Sequence, residues 1–141
     1  MAVRFCDAVN TKTVSTENAE EWLDLLMALY VSAMRLPEAE PDDDSSSYGG
    51  DAIPQPVIEC QSTYWEVFDP FELEDPVCGD LCDDLRDIYG DLRSGIREFD
   101  AGRRNNAIRE WQFGLDNHWG THAVDAVRAL HSIRANKQSG H

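Results

Sequence analysis

Positive charge is what this 141-residue sequence lacks most: 12 Lys and Arg stand against 27 Asp and Glu, a formal net charge of −15. Such a balance repels phosphate backbones, whose affinity for proteins comes from Lys and Arg displacing counterions, so nucleic acid is excluded as a partner. Long apolar runs are missing too. The longest, over residues 25–34, falls far short of the roughly 20 residues a spanning helix needs, so no membrane segment is expected. No basic segment followed by an apolar stretch and a cleavage site opens the sequence, which predicts a cytoplasmic protein. A phosphate-cradling glycine loop, a nucleophile elbow and a dinucleotide fingerprint are all absent. The four cysteines, Cys6, Cys60, Cys78 and Cys82, have neither zinc-knuckle nor Cys-x-x-Cys spacing. Cys78 and Cys82 stand four apart on an expected helix, yet without a second pair the expectation is reduced, packed thiols.

The acid is concentrated in the middle. Residues 37–100 carry 19 acids against three arginines, whereas residues 101–141 carry six basic residues against three acids. Solubility is the usual meaning of such a surface; a protein partner, a basic one in particular, is the specific alternative. The length suits a single helical domain over residues 1–141 that buries one core. Within it, residues 37–53 are proline-rich, acidic and poor in apolar groups, which predicts a mobile acidic connector, and residues 136–141 read as a flexible tail.

Apolar periodicity predicts an all-α fold, a small antiparallel helical bundle built on a long C-terminal helical hairpin. The spacing of Val3, Phe5, Cys6 and Val9 suits a short docking helix over residues 2–9. Trp22, Leu26, Leu29, Ala33 and Leu36 set a helix over residues 16–36, with Ser15 or Thr16 as N-cap. Residues 57–68 contain Tyr64 and Trp65, which suit strands as well; the recurrence of apolar pairs every three to four residues favours a short helix. Asp75-Pro76 reads as an N-cap with proline in the first turn of a helix over residues 76–100, along the stripe Leu81, Leu85, Ile88, Leu92, Ile96 and Phe99. Gly95 on that stripe implies a tight helix crossing. Gly102 ends this helix, and Asn105 or Asn106 starts another over residues 106–135.

The densest chemistry lies in this last helix. Ile108, Gln112, Leu115, Trp119, Ala126, Leu130 and Ile133 form one face, flanked by Trp111, His118, His122, Asp125 and Ala129. With the turn near Gly102, residues whose numbers sum to about 205 lie level, which brings Asp87 to His118 and Asp84 to His122. Two readings follow for the polar cluster Asp84, Asp87, Trp111, His118, Trp119, His122 and Asp125. One is a divalent-metal site, zinc or manganese, with His118 and His122 as ligands, Asp84 or in its place Asp87 completing the shell, and hydrolysis among its chemistries. Trp119 stands where zinc proteases place their glutamate base, so that class is excluded. The other is a structural hydrogen-bonded pair with no cofactor, the commoner fate of a His–Asp pair beside tryptophans, in a non-catalytic protein-interaction module.

The stretches DDLRDIYGDLRSGI and WQFGLDNHWGTHAVDAVRALH, with YWEVFDP before them, resemble an uncharacterised bacterial helical family, domain-of-unknown-function family five-zero-six-three. The resemblance covers residues 64–131, with a weaker echo in the first helix, and departs over residues 37–51. It implies a cytoplasmic all-helical domain with no known activity, substrate or cofactor.

Overall fold

A computed structural model describes residues 1–42 and 50–138. Residues 43–49 and 139–141, where the centre of the connector and the end of the tail were expected, lie outside the described residues. The fold is mostly helical: α1 (Ala2–Thr11), α2 (Ala19–Met34), α3 (Leu81–Asp100), α4 (Arg104–Asn117) and α5 (Trp119–Gln138), with two short strands, β1 (Thr63–Glu66) and β2 (Val77–Asp80). Among the described residues no helix is long and apolar enough to cross a membrane.

One core unites the helices. Phe5 of α1 meets Trp22 of α2 edge to face, with centroids 6.2 Å apart, and Leu26, Leu85, Ile88, Leu92, Trp119 and Leu130 are buried around them. α3 is the central element and packs on α1, α4 and α5. The tight crossing expected at Gly95 is present. A Cβ there would lie 2.0 Å from Trp111 Nε1, and that indole N–H donates to the Leu92 carbonyl at 3.2 Å. Gly102, with φ of 85°, turns the chain between α3 and α4. All four thiols are free; burial pushes the Cys6 thiol up to about 12.

Four expectations are corrected. The helix expected over residues 57–68 is instead β1, paired antiparallel with β2 from Thr63↔Asp80 to Glu66↔Val77. The β-branched and aromatic composition prevails because residues 77–80 supply a pairing partner. Before it, Ile58 forms a parallel bridge with Val14. All-α therefore becomes mostly α with a small two-stranded sheet. Second, α3 begins at Leu81, five residues after Pro76. Asp80 caps it by accepting from the Cys82 amide at 2.8 Å, and Cys78 belongs to the strand. Third, the helix over residues 106–135 is two helices, broken at His118. At the other end, α2 starts at Ala19, three residues later than expected.

The described flanks of the connector are tied down. Gln112 donates to the carbonyls of Leu36 and Pro37, both at 3.0 Å. The Asp42 carboxylate accepts from the Asn106 amide at 2.9 Å, in the first turn of α4. Asp51 pairs with Arg93 at 2.9 Å and Arg97 at 3.3 Å on α3.

Candidate functional site

Helical spacing aligns Asp84, Asp87 and Asp91 at intervals of three and four along α3, so they share one side of the helix. α5 carries His122 and Asp125 three apart, and His118 stands at the α4–α5 break. β1 completes the cluster through its alternation. Tyr64 and Glu66 are half-buried, while Thr63 and Trp65 on the opposite face are exposed. Gly79 of β2 makes room for the tyrosine ring: a Cβ there would sit 2.5 Å from Tyr64 Cζ.

These groups form a continuous network. The Asp84 side chain is buried, at 5% exposure. It accepts from the Tyr64 hydroxyl on one carboxylate oxygen, and its other oxygen lies 2.8 Å from His122 Nδ1. His122 Nε2 lies 3.0 Å from Asp87. A carboxyl group on each nitrogen favours the doubly protonated, cationic form of this ring. His118 Nδ1 lies 2.7 Å from Asp91, and the two imidazoles meet edge to face with centroids 5.0 Å apart. His122, at 27% side-chain exposure, is the more enclosed of the pair; His118 is half exposed.

All the expected site residues are placed. Asp84, Asp87 and His122 touch directly, and His118 stacks on His122. Asp125 joins through Glu66. Of the two tryptophans, Trp119 is fully buried in the core, where its indole donates to the Trp111 carbonyl at 3.0 Å, and Trp111 is half-buried against that core. Asp91, Tyr64 and Glu66 are the members that sequence reasoning missed. Asp91 was legible as the third carboxylate of the α3 stripe. Tyr64 and Glu66 were hidden by the helical reading of β1.

Five carboxyl groups surround two imidazoles, and the cluster retains protons as a result. The hydrogen bond that His122 donates to Asp84 outweighs burial and raises the His122 pKa. Burial pushes the Asp84 carboxyl up, against the hydrogen bonds from His122 and Tyr64 that hold it down. Burial and the adjacent Asp84 carboxylate likewise raise the Tyr64 phenol, which stays a donor. Asp125 is raised to about 7, first by burial and then by its hydrogen bond and repulsion with Glu66. Glu66 Oε2 is buried without a fixed donor; a proton kept on Asp125 donates to the Glu66 carboxylate.

A folded-state pKa above the unfolded one means that the folded chain binds the extra proton. For Asp125 that stability is complete below about pH 4 and is lost as pH rises toward 7. Asp125→Asn keeps an N–H donor for Glu66 and removes the titration. In chelator, it is expected to stabilise the chain by about 1 kcal/mol at pH 8 after solvent screening, with the gain vanishing toward pH 4. Urea unfolding across that range checks this; a gain independent of pH would contradict it.

Comparison with known proteins gives the chain its family. None of the curated proteins matches it. Among solved structures, protein BF1032 from Bacteroides fragilis shares the fold, with a TM-score of 0.63 at 23% sequence identity over 94% of this chain and 90% of that chain. The family model described as Domain of unknown function (DUF5063) matches residues 1–136, so the likeness extends from the C-terminal helices through α1 and α2. A network built from β1, α3 and α5 is thus carried by a chain that belongs to the DUF5063 family.

Proposed function

We propose that this domain, a single antiparallel helical bundle over residues 1–141, binds a divalent transition metal, zinc or manganese, through His118, His122 and Asp87. One observation carries the reading: a donor atom from each of these three residues lies within 4.8 Å of the other two, while the Nδ1 of each histidine is already held by a carboxylate. An Nδ1–H donated to Asp91 or Asp84 fixes the tautomer that turns an Nε2 lone pair toward a metal, the arrangement common around metal-binding histidines. Tetrahedral ligands at about 2.0 Å from zinc stand about 3.3 Å apart, so the three side chains need a closing shift of the order of an ångström.

In this arrangement Asp84 acts through His122 Nδ1, and Asp87 supplies the oxygen ligand. Two imidazoles and a carboxylate favour zinc over manganese. The surplus of carboxylates, now offset by retained protons, attracts a dication. Three protein ligands leave a fourth position for water or another small ligand. Free thiols and the absence of a disulfide suit a cytoplasmic setting.

Titration of chelator-treated protein with zinc at neutral pH tests this. One ion per chain is expected, with release of about one proton as the metal displaces it from His122 Nε2, and affinity that weakens on acidification. Absence of saturable binding up to about 1 mM zinc would overturn the reading.

A further inference from the structure

We propose that the tip of the β1–β2 hairpin is a docking site for a basic amphipathic segment of another protein. This rests on a different part of the molecule from the metal site. Strand alternation that turns Tyr64 and Glu66 inward turns Trp65 outward, at 73% exposure, and the chain beyond continues to display apolar groups: Val67 at 42%, Phe68 at 78%, Phe71 at 93% and Leu73 at 105%. Five large apolar side chains exposed within nine residues are a local concentration of the kind that marks an interaction surface, and aromatic residues dominate binding hot spots.

The display is held in place. The Asp69 carboxylate accepts from the Phe71 amide at 2.9 Å, and the Asp69 carbonyl from the Glu72 amide at 3.1 Å. With Pro70 between them, this turn fixes the two phenylalanines on either side of it. The β1–β2 ladder anchors both ends. A preordered aromatic surface loses less conformational freedom on binding than a loose one.

Charge selects the occupant. From residue 36 to residue 85 the sequence has no Lys or Arg and 15 acids. Asp69, Glu72, Glu74 and Asp75 stand exposed among the apolar groups of the tip. A second copy docked tip to tip would bring equal negative charge against it, and an anionic membrane would be repelled. A segment in which Lys or Arg alternates with apolar residues at helical spacing satisfies both the aromatic and the acidic halves of the surface.

The test uses the full chain and two fluorescent helical peptides of about 18 residues, one of Leu and Lys with Leu at positions i, i+3 and i+4, the other with Glu in place of Lys. The Lys peptide is expected to bind saturably and to weaken roughly tenfold between about 50 and 500 mM salt. Phe68→Ser/Phe71→Ser leaves the net charge unchanged and touches only exposed side chains; it is expected to keep the circular dichroism spectrum and lose at least roughly tenfold in affinity. Equal affinity in this variant would overturn the proposal by showing charge attraction alone. Equal binding of the Glu peptide would overturn it in favour of apolar contact alone. Tighter binding to phosphatidylcholine vesicles, or a dimer in sedimentation that Phe68→Ser/Phe71→Ser dissolves, would replace the partner with a membrane or a second copy.

Discussion

His122→Ala is expected to abolish zinc binding, a loss of at least roughly a hundredfold in affinity, and to destabilise the metal-free chain by about 2–3 kcal/mol. The two effects have separate origins. The first comes from removing a ligand. The second comes from Asp84, whose buried carboxylate would keep only the Tyr64 hydroxyl as a partner. Removing one member of a buried charged pair leaves the other with its desolvation uncompensated. His118→Ala separates the effects, because that ring is half exposed and its partner Asp91 is in part open to water. It is expected to lose zinc to a similar extent and to change stability by less than about 1 kcal/mol. Calorimetric titration and urea unfolding of both variants check this. Wild-type zinc affinity in both would confine the network to a structural role.

Gly120→Ala is expected to be among the most damaging single-methyl additions, costing about 3 kcal/mol or more. A Cβ at Gly120 would lie 1.9 Å from the Leu115 carbonyl oxygen and 2.8 Å from its carbon, and both are backbone atoms that no rotamer change can move. That contact belongs to the break between α4 and α5. His118, at φ −150° and ψ −80°, leaves the helical path, its amide still donating to the Gly114 carbonyl at 2.8 Å. The chain resumes with Trp119 driven into the core. Opening the break to admit a methyl group displaces His118 from His122, so zinc affinity falls along with stability. Gly90→Ala is the control. Its nearest neighbour would be Ile53 Cδ1 at 3.4 Å, and its backbone is helical, so it is expected to be neutral or stabilising by up to about 1 kcal/mol. Thermal melts of the two variants check the contrast; equal melting temperatures would contradict it.

That break also marks how far the sequence could be read. Leu85, Ile88, Leu92 and Ile96 declared α3, and Gly95 declared its close crossing, because helical periodicity and the cost of a buried glycine are local properties. The apolar period of the last stretch runs through residue 118 without a fault, from Leu115 and Trp119 to Ala126 and Leu130. A continuous helix and a broken one therefore share one pattern, and only the tertiary contacts of Gly120 and Trp119 decide between them. Level counting from Gly102 accordingly brought Asp84 to His122 and Asp87 to the two histidines, but it did not extend to Asp91, one helical turn away, which holds His118 Nδ1. β1 was ambiguous for a different reason. A four-residue strand of Thr, Tyr, Trp and Glu depends on the partner strand at residues 77–80, a contact no local pattern contains.

Diffraction from crystals grown with zinc, recorded at the zinc absorption edge, tests the central claim most directly. The expected result is a single anomalous peak between α3 and α5, about 2.0–2.2 Å from Nε2 of His118, Nε2 of His122 and a carboxylate oxygen of Asp87, with Asp84 and Asp91 still on the two Nδ1 atoms. Zinc bound elsewhere while His122 keeps Asp84 and Asp87 on its two nitrogens would contradict it.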